Sequence, residues 1–225
     1  MNWSDGHGSR VKAIIERHPW LPYVAPFAVF VGLTGLQPYV PGGVAWVYPA
    51  KTVLTGLLML GVRRWLVPGG DWFALTATIT GLLVLVLWIL PEGLYPLLGN
   101  TTIFDPYQHF SRAQAIVWIG FRLTGAALVV PIAEEFFWRG FLIRWLVRSD
   151  FQTVAPGTFT WISFLITSGL FAAEHAQWLV GLMAGIAYNL LWYGTRSLKA
   201  CILAHGVTNL GLGVWVLATG QWSFW

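Results

Sequence analysis

Polar positions interrupt this chain rarely, and the apolar stretches between them are of spanning or near-spanning length. They fall at about 21–39, 46–66, 72–90, 114–131 running on to about 148, 158–174, 177–193 and 199–218, the lengths expected of bilayer helices. Punctuation supports the divisions: Pro41-Gly42-Gly43, Pro68-Gly69-Gly70, Pro156-Gly157 and Gly194-Thr195-Arg196-Ser197 stand where a helix should stop. The pattern predicts an all-α fold, a polytopic transmembrane helical bundle of about seven spans. Residues 1–20 are expected to be a cytoplasmic N-terminal segment, 21–113 an N-terminal transmembrane region and 114–218 a C-terminal core. Positions 91–113 form the one long connection, with Gly, Pro, Asn and Asp throughout, and are expected to face outward. No second domain, internal repeat or low-complexity tract is visible.

Composition makes the bilayer a requirement. Of 225 residues, 56% are hydrophobic and 10% charged, more apolar surface than one soluble domain of this size can bury. The 15 Trp and 7 Tyr suit a chain whose amphipathic rings settle at headgroup level. The net charge of +4 is spread singly or in pairs, without a stripe or a flexible basic arm, so no nucleic-acid partner is expected. The same charges read as topology. With a cytoplasmic N-terminus, the inner side collects Arg10, Lys12, Arg17, Arg63, Arg64, Arg144, Arg148, Arg196 and Lys199, and the outer side Arg112 and Lys51. The lone Cys201 excludes an internal disulfide and a Cys-based metal site. The polar start, Met1 to His18, shows no small-residue cleavage site behind a short apolar core, so no cleavable signal peptide is expected.

Charges inside apolar runs are functional candidates because a charge at membrane depth is costly. Lys51 follows Pro49, which reads as a helix start, and is expected to snorkel to the outer interface. Arg122 lies within the fourth segment, and the sequence names no partner for it. The dense cluster is Glu134-Glu135-Phe136-Phe137-Trp138-Arg139. On a helix Glu135 and Arg139 stand four apart on one face, in the order that favours an ion pair. Glu134 points about a quarter-turn away, toward Phe137 and Trp138. A carboxylate that looks onto aromatic surface without a local cation suits a general base or acid. A structural alternative is that both acids neutralise Arg139, Arg144 and Arg148 at the inner interface.

Two further constellations change the balance. Phe171 and His175 share a helix face at the end of the fifth segment, and His205 and Asn209 share one in the seventh. Singly, the first reads as a core histidine and the second as an interhelical polar clamp. Together with the acids they supply a base, its partner and oxyanion donors.

The ordered trio Glu-Glu-x-x-x-Arg at 134–139, Phe-x-x-x-His at 171–175 and His-x-x-x-Asn at 205–209 resembles the three signatures of the CAAX protease and bacteriocin-processing (Abi) family. Arg139-Gly140-Phe141-Leu142 and Gly194-Thr195-Arg196-Ser197-Leu198 add supporting text. The resemblance covers roughly residues 114–213. It implies an intramembrane glutamate protease without cofactor or metal. In it Glu134 and His175 activate a water, His205 and Asn209 stabilise the oxyanion, and Glu135, Arg139 and Phe171 support them. The implied partners are the lipid bilayer and a membrane-associated peptide or protein substrate, lipidated or C-terminally sorted. The implied location is the bacterial inner membrane, with the active site in a membrane-embedded cavity. The compact size is similar to bacterial CAAX-protease-related proteins that accompany exosortase sorting systems.

Straight, full-length spans would hold His175 and His205 apart, so the site requires segments five and six to be short, tilted or re-entrant. Two alternatives stay open. Glu134, His175 and His205 could form a His₂Glu zinc site with an open position for water, although no His-Glu-x-x-His helix is present. A non-enzymatic role, as an immunity or scaffold protein or a small transporter, is the rival from another class. The absence of an internal repeat speaks against the transporter.

Overall fold

A computed structural model describes residues 12–66, 68–99 and 103–225. Arg10 and the rest of positions 1–11 of the expected N-terminal segment lie outside the described residues, as do 100–102 of the expected outer loop. Seven helices carry the fold: α1 (Leu21–Leu36), α2 (Gly43–Val62), α3 (Ala74–Ile89), α4 (Arg112–Trp145), α5 (Trp161–Ala173), α6 (Trp178–Thr195) and α7 (Leu198–Thr219). No strand occurs among the described residues. By length and composition, α1 with its 3₁₀ extension to Tyr39, α2, α4 and α7 can each cross a membrane. Helices α3 and α5 are apolar but shorter, at 16 and 13 residues.

Local chemistry sets the helix starts. Ser111 and Gln114 form a capping box at the head of α4. Thr160 accepts the Ser163 amide at 3.1 Å at the head of α5. Ser197 Oγ accepts the Ala200 amide at 3.2 Å at the head of α7, and also donates to the Asp71 carbonyl. The Leu198 amide reaches the Gly69 carbonyl at 3.1 Å, which holds the starts of α3 and α7 at one level. Ser163 and Tyr193 hydroxyls, 3.3 Å apart, bring the start of α5 beside the end of α6. Helices α3, α5 and α7 therefore rise from the same end of the bundle.

Helix α7 runs along α3, and the two come close because Gly81 presents no side chain: a Cβ there would collide with the Ala204 backbone. Helix α4 is not regular. It widens to π geometry over Gly125–Val129 and Phe136–Leu142, on either side of Val130–Glu135. Pro131, at the head of that middle stretch, has no N–H to return to the preceding turn. Such π segments interrupt the side-chain period and recur at functional sites. The long connection carries a one-turn helix, Pro106–His109. It docks on the α5–α6 link through the Leu98 amide to the Ala176 carbonyl at 2.8 Å and the Trp178 indole to the Pro96 carbonyl at 3.0 Å.

Candidate active site

The most buried polar cluster forms around the second acid of the Glu-Glu pair. One turn of helix separates Glu135 from Arg139, and Nη1 of Arg139 donates to Glu135 Oε1 at 3.0 Å, with both side chains at most 1% exposed. The rest of the guanidinium is engaged by α6: Nε donates to Asn189 Oδ1 at 3.1 Å and Nη2 to the Gly185 carbonyl at 3.3 Å. Asn189 in turn donates to the hydroxyls of Thr167 at 2.9 Å and Ser168 at 3.0 Å on α5. The expected Glu135–Arg139 pair is therefore present, and it ties three helices together. Glu135 does more than the sequence indicated, because His205 Nδ1 lies 3.0 Å from the same Oε1.

Glu134, His175, His205 and Asn209 all line one cavity of about 480 Å³. Glu134 is buried, and its Oε2 has no protein hydrogen-bond partner among the described residues. His175 Nδ1 is 2.7 Å from the Phe171 carbonyl. A carbonyl only accepts, so this nitrogen carries the proton and Nε2 of the neutral ring is a free acceptor. The Phe171 ring packs on His175 with centroids 4.9 Å apart and lies 5.1 Å from the Arg139 guanidinium. Trp88 meets the His175 ring edge-on at 5.3 Å. The helix face expected to carry Phe171 and His175 together is cut short: α5 ends at Ala173, and His175 follows in the link to α6, where it lines the same cavity as His205. Asn209 gives one amide hydrogen to the Ala126 carbonyl at 2.9 Å, in the first π stretch, and keeps a second.

Several side chains of the cavity carry no sequence signal of their own. Tyr188 stacks on His205 at 5.1 Å and donates to Thr208 at 2.8 Å, which donates to the Gly81 carbonyl at 2.8 Å. Glu174 lines the cavity beside His175. Asn189, Thr167 and Ser168 hold Arg139 in place from within apolar runs, where hydroxyls and amides read as ordinary helix content. Of these, Glu174 alone offers a signal that could have found it, a charge next to a motif histidine. Among the described residues no three His, Cys, Asp or Glu side chains cluster as a metal ion would require.

One expectation is corrected. Pro49 does not begin a helix, since α2 starts at Gly43 and carries Pro49 inside it. Lys51 is accordingly turned into the protein rather than out of it. It is 3% exposed, lines the same cavity, and Nζ donates to Thr34 Oγ1 at 2.7 Å.

Residues 116–211 match the family model described as Type II CAAX prenyl endopeptidase Rce1-like. The interval contains all three motifs and, Leu212 apart, the cavity side chains contributed by α4 to α7. No curated protein and no solved structure matches the chain significantly. The chain is an integral, all-helical membrane protein, and its residues 116–211 are similar to the CAAX prenyl endopeptidase family.

Proposed function

We propose that this protein is a glutamate-type intramembrane endopeptidase acting on a membrane-associated, lipidated or C-terminally sorted peptide. The observation that carries the reading is the Glu134 carboxylate, buried with one oxygen free of protein partners, in the same cavity as a histidine whose Nδ1–H is already committed. Such an oxygen is costly unless a water or substrate group bonds to it. Glu134 takes a proton from a water held with His175, and the hydroxide adds to the peptide carbonyl. His205 and Asn209 donate to the oxygen as it gains charge. Collapse breaks the C–N bond, and the proton held by Glu134 passes to the leaving nitrogen. With Nδ1–H facing Glu135, His205 can donate through Nε2 only as imidazolium, whereas the spare Asn209 N–H donates in either case.

Detergent-purified protein incubated with lipidated and unlipidated peptide libraries tests the reading. Wild type should cleave, Glu134→Gln should not, and Asn209→Ala should lower the single-turnover rate by about 10²–10³ with little change in peptide affinity. An Asn209→Ala protein that melts early but turns over normally would make Asn209 a helix clamp. Loss of wild-type activity on chelation would replace the Glu–His scheme with the zinc one. Cells still protected by Glu134→Gln would point to a non-enzymatic immunity role.

A further inference from the structure

The cavity holds a second set of charges at the end away from Glu134. Lys51 Nζ lies 4.3 Å from the Phe30 ring and 4.8 Å from the Tyr48 ring, and the Arg122 guanidinium lies 4.3 Å from the same Tyr48 ring. Both cations line the cavity, as does Tyr48. Lys51 is held by two neutral oxygens, Thr34 Oγ1 and, at 3.3 Å, Gln37 Oε1. Arg122 Nε is buried without a hydrogen-bond partner among the described residues. The ion pairs among those residues are Lys12 with Glu16, and Glu135 with Arg139 and His205. Neither Lys51 nor Arg122 takes part in one. A second cavity of about 720 Å³ shares Thr34, Tyr48, Lys51, Arg122 and Trp225 with the first, and no acidic residue among those described lines it.

Two cations kept at membrane depth without an anion are expensive, and aromatic faces offset only part of that cost. A planar guanidinium and an ammonium gathered at the same tyrosine ring form an arrangement suited to a carboxylate. The occupant of this cavity under the protease reading is a peptide, and the anions of an unmodified peptide are carboxylates. We propose that Lys51 and Arg122 form a carboxylate-binding subsite, through which the protein selects peptides carrying a carboxylate a few residues from the scissile bond. This rests on the protease reading above. Arg122 and Glu134 lie in one continuous helix, twelve positions apart, which is ~18 Å of rise. That rise is at most about five residues of extended peptide, and the π stretch between the two positions and the reach of the side chains shorten it further. The carboxylate is either the C-terminal one or that of an Asp or Glu side chain.

Four fluorescein-labelled apolar peptides decide the matter, with binding measured on Glu134→Gln protein so that no turnover is needed. One ends in a free carboxylate, the second is its amide, the third is the amide with one internal Asp, and the fourth has Asn in place of that Asp. At least one carboxylate peptide should bind about tenfold more tightly than its neutral counterpart, the scale of one charge-assisted contact. Free acid over amide identifies the C-terminal group, and Asp over Asn identifies the side chain. Adding Lys51→Gln and Arg122→Gln should abolish the preference and leave binding of the neutral peptides unchanged, while Lys51→Arg should keep it. Equal binding of all four peptides, or a preference that survives both substitutions, overturns the subsite. So does a preference for phosphatidylglycerol vesicles over phosphatidylcholine without discrimination among the peptides. Cleavage by wild type, read in parallel, separates the two proposals: neutral peptides cut as well as acidic ones remove the subsite alone, whereas selective binding without any cleavage removes the protease reading alone.

Discussion

Glu135 and Glu134 are neighbours in sequence with different surroundings. Glu135 meets an arginine one turn along its own helix and a histidine from α7, both through Oε1. Glu134 faces the cavity. The difference is a quarter-turn of helix, and it separates a carboxylate that ties helices together from one that faces the cavity with an oxygen no described residue satisfies. Removing one member of a buried pair strands the other, at a cost of about 3–5 kcal/mol. Glu135→Gln and Arg139→Ala should therefore lower both the yield of folded protein and its melting temperature, while Glu134→Gln leaves both near wild type. Size-exclusion profiles and thermal melts of the three variants are the check. Reversed phenotypes would mean that the two acids have been assigned the wrong way round.

Helices α5 and α6 meet along a groove in which Gly181 and Gly185 face the residues of the second motif. A Cβ on Gly185 would lie 3.2 Å from the Phe171 Cβ, and one on Gly181 equally close to that of His175. Gly185→Val should push α5 outward, with an overpacking cost of about 1–3 kcal/mol. It should depress cleavage more than the lost stability explains, because His175 follows directly on the end of the displaced helix. A variant that melts early yet cleaves at the normal rate per folded molecule would show that this packing does not position the histidine. The seven helices were legible because apolar length and Pro/Gly breaks are local signals, and the Glu135–Arg139 pair was legible because four-residue spacing is local too. The Glu135–His205 contact joins residues 70 positions apart, and no periodicity reports that. Pro49 misled for a physical reason: proline reads as a helix start, yet a membrane helix can carry one inside when neighbouring groups satisfy the freed carbonyl. The π stretches of α4 were hidden as well, since apolar content looks the same at either pitch, although Pro131 marked the place.

Across the whole molecule, basic side chains gather at the end from which α3, α5 and α7 rise. Arg63, Trp72 and Lys199 line one groove there, and Arg196 packs beside Gly157. We propose that this end is cytoplasmic, with the N-terminus inside and Trp225 outside. Reporter fusions at both termini check it, and a common location for both would mean that one helix does not cross. The brevity of α5 has a consequence for the surrounding lipid. Thirteen residues rise only ~20 Å, against a hydrocarbon layer of about 30 Å, and Trp161, Ile162 and Leu165 are exposed on its flank. Such hydrophobic mismatch is relieved by local thinning of the bilayer. Thinning would draw headgroups and water toward the depth of His175, where the proposed protease needs its water. Proteoliposomes should then be most active in short-chain phosphatidylcholine and lose activity as the acyl chains lengthen, at constant protein content and folding. A rate independent of chain length would mean that water reaches the cavity by another path.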